Sequence, residues 1–225
     1  MGVLSGRVAL VTGGGRGIGR GICELLAAQG ASVAINYHSG KEGAEETLQA
    51  ILQDGGTAKI YGASVADYEA SSAMVKEIIR DFGHIDILVN NAGIASRGKA
   101  VADTDAAEVE KLLAVHAVGA HQLCAAVLPS MRTQERGDIV FVSSVATANN
   151  SAKGAPYNMG KAAMEALAFT LAKEERRHGI RVNIAAPGLV ETDMGVRLSR
   201  SLTGNKELTD LRSLDEHAPF GHVCQ

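Results

Sequence analysis

Short apolar runs alternate with longer stretches of helical periodicity along the whole chain. Runs rich in Val, Ile, Leu and Ala are typical of strands that are buried on both faces. They predict six strands, at residues 7–12, 32–37, 57–61, 85–90, 138–143 and 180–185. Because the segments between the strands are long enough to form helical crossovers, we expect the strands to be parallel.

The intervening segments have the apolar spacing of amphipathic helices. Helices are predicted at residues 17–29, 41–53, 67–82, 105–131 and 156–178, and several are followed by a glycine that can end a helix, namely Gly30, Gly55, Gly83 and Gly179. The periodic order weakens after Pro187, where we expect a loop with short helices. The alternation predicts an α/β fold of the Rossmann-like, doubly wound type, with helices on both faces of the sheet.

Composition is consistent with one α/β domain over residues 1–225. The chain is 46% hydrophobic and 21% charged, and its net charge of −3 argues against a nucleic-acid surface. The densest basic cluster, Arg176-Arg177-His178, either complements a helix C-terminus or docks an acidic partner.

Three scattered cysteines do not indicate a disulfide framework, so we expect a reducing, cytoplasmic location. No targeting segment or long apolar run is recognised, and no membrane association is expected.

A glycine-rich turn follows the first predicted strand. Its sequence, Thr12-Gly13-Gly14-Gly15-Arg16-Gly17-Ile18-Gly19, departs from the common G-x-G-x-x-G spacing. Its position still suits a dinucleotide, because the N–H groups at the start of the next helix can receive a pyrophosphate. Taken alone, the turn could equally be an ordinary tight connection.

The residues after the second strand bear on the choice of dinucleotide. NAD-binding chains usually carry a carboxylate there for the ribose 2′-hydroxyl, whereas this chain has Asn36-Tyr37-His38-Ser39. No acid would repel a 2′-phosphate, and Arg16 could pair with one. The sequence therefore favours NADP(H) over NAD(H), although Arg16 could also be a solvated loop charge.

Tyr157 and Lys161 lie one helical turn apart at the start of the last long helix. A phenol beside an ammonium can exchange a proton with an alcohol or carbonyl oxygen, and the cation is expected to lower the pKa of the phenol. The alternative is a surface pair without a role in chemistry.

With these motifs in order, the chain resembles the short-chain dehydrogenases/reductases, and within them the 3-oxoacyl-(acyl carrier protein) reductases. The resemblance covers nearly the whole chain. It rests on the glycine turn, Asn90-Asn91-Ala92-Gly93, Ser144, Tyr157-x-x-x-Lys161, and Pro187-Gly188 followed by Val190-Glu191-Thr192-Asp193-Met194.

The resemblance implies a role for each of these residues. Tyr157 would donate a proton to the substrate carbonyl, Ser144 would donate a hydrogen bond to the same oxygen, and Lys161 would also bind the nicotinamide ribose. Ser144 is preferred to Ser143, which points to the other side of the extended chain. The implied cofactor contacts are Gly13, Gly15, Arg16, Gly17, Ile18 and Gly19; Asn36, Tyr37, His38 and Ser39; Ser64 and Val65; Asn91, Ala92 and Gly93; Tyr157 and Lys161; and Pro187, Gly188, Val190 and Thr192. No metal site is expected.

Two features depart from the family pattern. His116 stands where most members carry an Asn that completes a proton relay. It either takes over this catalytic role, even carrying protons near neutral pH, or is a packed helix histidine.

In addition, relatives continue past the position of Gln225 with a further helix and strand. We expect either a sequence shortened here or a protein without that seventh strand.

The predicted activity is NADPH-dependent reduction of a ketone, with a 3-oxoacyl thioester on acyl carrier protein or CoA as substrate. Two alternatives stay open. One is a reductase or dehydrogenase for another ketone, sugar or steroid alcohol, and the other is a non-catalytic NADP-binding regulatory or scaffold protein. Ala-rich helix faces (Ala162, Ala163, Ala166, Ala168 and Ala172) indicate a homotetramer, with a dimer as the alternative.

Overall fold

The structure is a computed structural model that describes residues 2–217 and 223–224. Its centre is one six-stranded sheet in which every strand pairing is parallel. The strands are β1 (Val8–Val11), β2 (Ser32–Tyr37), β3 (Thr57–Gly62), β4 (Ile87–Asn90), β5 (Gly137–Val142) and β6 (Ile180–Ala185), in the spatial order β3-β2-β1-β4-β5-β6. The predicted fold class is confirmed.

Helices cover both faces of this sheet. They are α1 (Gly17–Ala28), α2 (Lys41–Gln53), α3 (Tyr68–Phe82), α4 (Ala106–Leu113), α5 (Gly119–Met131), α6 (Ala146–Asn149), α7 (Ala155–Glu175) and α8 (Asp193–Thr203). Three 3-10 turns lie at Val101–Asp103, Arg176–His178 and Leu211–His217. The four glycines expected to end helices all have positive φ, between 71° and 94°.

Two apolar cores lie on opposite faces of the sheet. On one face, side chains of α1 and α2 such as Cys23 and Ile51 pack with those of β1 and β2. On the other face, side chains of α3, α5 and α7, such as Ile78, Leu123 and Met164, form the larger core. Alternate residues of the central strands therefore face different cores, which explains why these strands are apolar throughout.

The predicted helix 105–131 is interrupted, which corrects the sequence analysis. Residues Ala114–Val118 form a π-helical turn between α4 and α5. Gly119 follows directly, and a Cβ there would lie 2.4 Å from the Val65 carbonyl oxygen. The sequence pattern does not show the π turn directly, because a π turn is defined by its i→i+5 backbone hydrogen bonds.

The stretch Ala106–Met131 is long and apolar enough to cross a membrane by length and composition alone. Core helices of proteins without membrane segments pass the same test. Here α5 packs against α3, and its side chains Leu123, Cys124 and Val127 are buried in the larger core. The apolar character of this stretch is therefore accounted for by packing on the sheet.

The switch in strand order places the functional motifs together. β1 pairs with β2 on one side and with β4 on the other, so the connections leaving β1 and β4 run to opposite faces of the sheet. A crevice opens at such a point beyond the carboxyl ends of the strands, where doubly wound folds bind their ligands.

Candidate active site

The glycine turn forms one wall of this crevice. Gly13 has φ +65°, and a Cβ on Gly19 would lie only 2.2 Å from the Gly13 carbonyl oxygen. Both positions thus require glycine, one for its backbone conformation and the other for close approach. Arg16 caps α1 with extended backbone and makes no side-chain hydrogen bond to the helix, so the N–H groups of the first turn are left for an anion.

Thr12 joins the two sides of the switch point. Its hydroxyl accepts hydrogen bonds from the backbone N–H groups of Asn91 and Ala92, each at 2.9 Å. The Asn91 side-chain amide in turn donates to the Thr12 carbonyl at 2.8 Å. The predicted segment Asn91 to Gly93 therefore lies against the glycine turn, as a shared dinucleotide site requires.

Asn36 lies next to the glycine turn. It is only 1% exposed, and its amide donates to the Ala63 and Tyr61 carbonyls at 3.0 and 3.3 Å. Its backbone carbonyl accepts from Gly14 N–H at 2.9 Å. Asn36 therefore supports the glycine turn from behind, and its role as a cofactor contact stays a prediction. Its place one residue before the end of a buried strand points it inward.

The neighbouring residues surround the mouth of the crevice. Tyr37 is half-buried and lies against Gly62, whereas His38, Ser39 and Arg16 are exposed. Lys41, the first residue of α2, was not among the predicted site residues; it pairs with Glu45 at 2.9 Å. Its position directly after the β2 loop was a signal that could have marked it as a second cation here.

Arg20 was also missed. From α1 its guanidinium donates to the Gly15 and Gly43 carbonyls at 3.2 and 3.3 Å and to the Glu46 carboxylate at 2.7 Å. A Cβ on Gly15 would lie 2.9 Å from the Ala44 backbone nitrogen. Arg20 thus fastens the glycine turn to α2. Nothing in a single sequence distinguishes such a cation from a solvated one.

The remaining predicted cofactor contacts lie around the same opening. Ile18 is partly buried and packs against the apolar core that α1 and α2 form with the sheet. Ser64 is half-buried just after β3, next to the buried Val65. The Thr192 methyl group would lie 3.2 Å from a Cβ on Gly17, so Thr192 lies against the glycine turn. The Pro187 carbonyl accepts from Val145 N–H at 3.1 Å, and Gly188 and Val190 follow on the same segment.

Ser144 and Tyr157 face each other across this opening. Ser144 follows the end of β5, and its hydroxyl lies close enough to the Tyr157 phenol, which projects from the first turn of α7, to oppose the rise in the pKa of that phenol. Ser143 faces the other way and donates to the Glu165 carboxylate. The choice of Ser144 over Ser143 agrees with this geometry.

Lys161 is placed differently from the expectation. The ammonium lies 5.8 Å from the centre of the Tyr157 ring and donates to the Val142 carbonyl at 2.6 Å. Burial, with the Ser144 hydrogen bond opposing it, raises the pKa of the Tyr157 phenol. The predicted lowering of this pKa by Lys161 is therefore not seen in this structure. Burial lowers the pKa of Lys161 itself to about 8, against the attraction of Glu165.

His116 lies in the π turn directly behind Tyr157. Its Nε2 is 2.9 Å from the Ile94 carbonyl oxygen, and its buried Nδ1 has no partner among the described residues. Burial, and secondarily the Lys161 charge, lowers the pKa of His116 to about 4. The imidazole is thus neutral near pH 7, which disfavours a relay through the imidazolium. A positioning role at the bend fits this geometry better.

The described residues contain no group of three or more His, Cys, Asp or Glu side chains placed to hold a metal ion. A dinucleotide, by contrast, fits the glycine cradle and the uncapped start of α1. The crevice also offers a phenol and a hydroxyl that converge on one point, with a buried ammonium behind them. This arrangement can bind a carbonyl oxygen and supply it with a proton.

A family model described as short chain dehydrogenase matches residues 7–202. The chain belongs to the short-chain dehydrogenase family. It is therefore an oxidoreductase of a family that binds a nicotinamide cofactor, as the resemblance indicated.

Two relatives show how broad the family is around this chain. A 3-oxoacyl-(acyl-carrier-protein) reductase of Staphylococcus aureus is 38% identical over 86% of this chain and 78% of its own length. Versicolorin reductase 1 of Aspergillus parasiticus is 36% identical over 96% of this chain and 82% of its own length.

Solved structures of family members superpose closely on this fold. An NAD⁺-bound xylitol dehydrogenase matches with a TM-score of 0.89 and 29% identity, covering 99% of this chain and 88% of its own. A metagenomic short-chain oxidoreductase in complex with NADP matches with a TM-score of 0.80 and 33% identity, covering 88% and 90%. Both dinucleotides are thus found in proteins of this shape.

Proposed function

We propose that this protein reduces a ketone to a secondary alcohol with NADPH. The single observation that carries the proposal is the convergence of the Ser144 hydroxyl and the Tyr157 phenol beside the glycine cradle. A bound nicotinamide would supply the hydride to the carbonyl carbon. The protein's residues supply the proton and the environment in which the oxygen becomes charged.

Each of the three central residues has a defined task in this proposal. Ser144 donates a hydrogen bond to the carbonyl oxygen, where negative charge develops. Tyr157 then gives its phenolic proton to that oxygen, and its raised pKa keeps the proton available at neutral pH. Lys161, whose ammonium lies 5.8 Å from the centre of the Tyr157 ring and donates to the Val142 carbonyl, would bind the nicotinamide ribose.

His116 supports this arrangement without exchanging a proton. Its neutral ring packs edge-on against Tyr157 and is anchored at the Ile94 carbonyl. The π turn fixes the bend that brings it there. We propose that His116, which stands in the place of the family Asn, positions the phenol and relays no proton.

The preference for NADPH rests on charge at the end of β2. The segment Asn36 to Ser39 carries no carboxylate, and the Arg16 side chain is exposed on the glycine turn. A 2′-phosphate would find a guanidinium within the same turn and no acid in that segment. Comparison of Kd for NADPH and NADH tests this part separately.

A 3-oxoacyl thioester is the proposed substrate, because the Staphylococcus aureus reductase is similar over most of the chain. Acyl carrier protein would then be the partner that delivers it. A ketone of another class is the second candidate, and it is favoured by the comparable similarity to versicolorin reductase 1. Initial rates of NADPH oxidation with acetoacetyl-CoA, beside a panel of cyclic and aromatic ketones, distinguish the two.

We also propose a cytoplasmic homotetramer, with a dimer as the alternative. Met159 and Phe169 on α7 are 49% and 61% exposed, and the small residues between them, Ala162, Ala163 and Ala166, are exposed at helical spacing. An apolar stripe with small residues allows close helix approach between copies. Ala168, by contrast, is buried in the core. A monomer by light scattering would contradict this assembly.

A further inference from the structure

Glu165 contacts the chain on both sides of Ser144. It lies on α7 one helical turn after Lys161 and two turns after Tyr157. Its carboxylate accepts hydrogen bonds from the Ser143 hydroxyl and, at 3.0 Å, from the Thr147 hydroxyl. The half-buried carboxylate is therefore held by the segment that carries Ser144.

These contacts fix the backbone on both sides of Ser144. The Ser143 N–H donates to the Ala185 carbonyl at 2.7 Å, so this residue is tied to β6 as well as to Glu165. The Thr147 hydroxyl lies 3.0 Å from the Ser144 carbonyl and the same distance from Glu165, and it shares its proton between them. A change at Glu165 would consequently loosen Ser144 relative to Tyr157.

Glu165 also acts on Lys161 through its charge. Lys161 is 4% exposed, and its one described hydrogen bond goes to the neutral Val142 carbonyl. The negative charge of Glu165 raises the pKa of Lys161 and so favours the charged ammonium. The positive charge of Lys161 in turn lowers the pKa of His116. Tyr157 presents its ring to Lys161. Glu165 lies four residues after Lys161 on α7, so the two side chains share one face of the helix.

We propose that Glu165 is a positioning residue that anchors the Ser144 segment and keeps the buried Lys161 ammonium charged. The inference rests on the proposed function, since it assigns both effects to ketone reduction. Its tether needs a hydrogen-bond acceptor at position 165, whereas its effect on Lys161 needs a negative charge. Glu165→Gln separates the two, because the amide oxygen still accepts hydrogen bonds but the charge is gone.

The first experiment measures the titration of Lys161 in the cofactor-free protein. NMR of protein with isotope-labelled lysine follows the side chain, and Lys161→Arg identifies its resonance. We expect the wild-type midpoint near the pKa of about 8 given by burial, and a midpoint lower by about one unit in Glu165→Gln. Glu174→Gln, an exposed position on the same helix, is the matched control and should titrate as wild type.

The second experiment places the effect in catalysis. In Glu165→Gln the alkaline limb of the kcat/KM profile should move to lower pH with the Lys161 midpoint. In Ser143→Ala, which keeps the charge but removes one of the two hydrogen bonds of the tether, kcat should fall about tenfold while the limb stays in place. Identical Lys161 midpoints in wild type and Glu165→Gln would overturn the inference. Because the titration needs no substrate, the expected shift in a protein that reduces no ketone would count against the proposed function alone.

Discussion

The rings of His116 and Tyr157 stand edge to face, with their centres 5.3 Å apart and their planes at 82°. His116 is completely buried between Gly93 and Gly160, because a Cβ on either glycine would come within 3.2 Å of its atoms. The histidine therefore fills a closed slot behind the phenol. Its position couples the geometry of the proposed proton donor to the π turn.

This burial predicts a specific loss of stability in acid. The pKa of His116 is lowered to about 4 in the folded protein, against about 6.5 in the unfolded chain. As pH falls from 6.5 towards 4, the unfolded state takes up a proton that the folded state refuses, so stability falls. We expect this residue alone to lower the free energy of unfolding by about 2 kcal/mol between pH 7 and pH 4.5.

The measurement is urea unfolding at both pH values in the wild type and in His116→Asn. The variant should lose less stability on acidification by about that amount, since Asn does not titrate. An equal loss in both proteins would show that the imidazole is not held neutral. His121→Asn, at a more exposed position on α5, serves as the control.

Gly19 and Gly21 offer a matched pair on one helix. A Cβ at position 19 meets the Gly13 carbonyl, whereas a Cβ at position 21 meets nothing within 4 Å. We expect Gly19→Ala to weaken NADPH binding by more than about tenfold, because the turn must open to admit the methyl group. Gly21→Ala should bind as wild type and be more stable by up to about 1 kcal/mol. Titration of cofactor fluorescence and thermal unfolding give the two readouts, and equal affinities would refute the cradle.

Arg16 should matter for one dinucleotide only. If its guanidinium pairs with the 2′-phosphate, Arg16→Ala should raise Kd for NADPH about tenfold and leave Kd for NADH within about twofold. Arg177→Ala, an exposed arginine after α7, controls for net charge. Parallel changes for both dinucleotides in Arg16→Ala would assign Arg16 to the shared pyrophosphate or to the turn itself.

Much of this architecture could be predicted from residue patterns. The apolar runs located all six strands to within two residues at each end, because doubly covered parallel strands have few polar positions. The glycine turn and Tyr157 were located by spacing at strand and helix ends. Their proximity followed from topology, since the carboxyl ends of parallel strands meet at one edge.

Other features depended on side-chain directions that a pattern does not contain. Asn36 was counted among the cofactor contacts, and its side-chain amide donates to carbonyls of β3 and the following loop. The effect of Lys161 on Tyr157 was inferred from their spacing alone, whereas the ammonium turns to Val142. Helical spacing brings two residues to the same face but does not decide which acceptor a flexible side chain selects.

The central claim is that Tyr157 supplies the proton in an NADPH-dependent ketone reduction. The most direct measurement is NADPH oxidation with acetoacetyl-CoA by the wild type and by Tyr157→Phe, with NADPH affinity determined for both. We predict turnover in the wild type, and a loss of about a hundredfold to ten-thousandfold in the variant at nearly unchanged affinity. Turnover that survives in Tyr157→Phe would contradict the account. The wild type could instead bind NADPH tightly and turn over neither this thioester nor the ketone panel. That result would favour a non-catalytic binding protein.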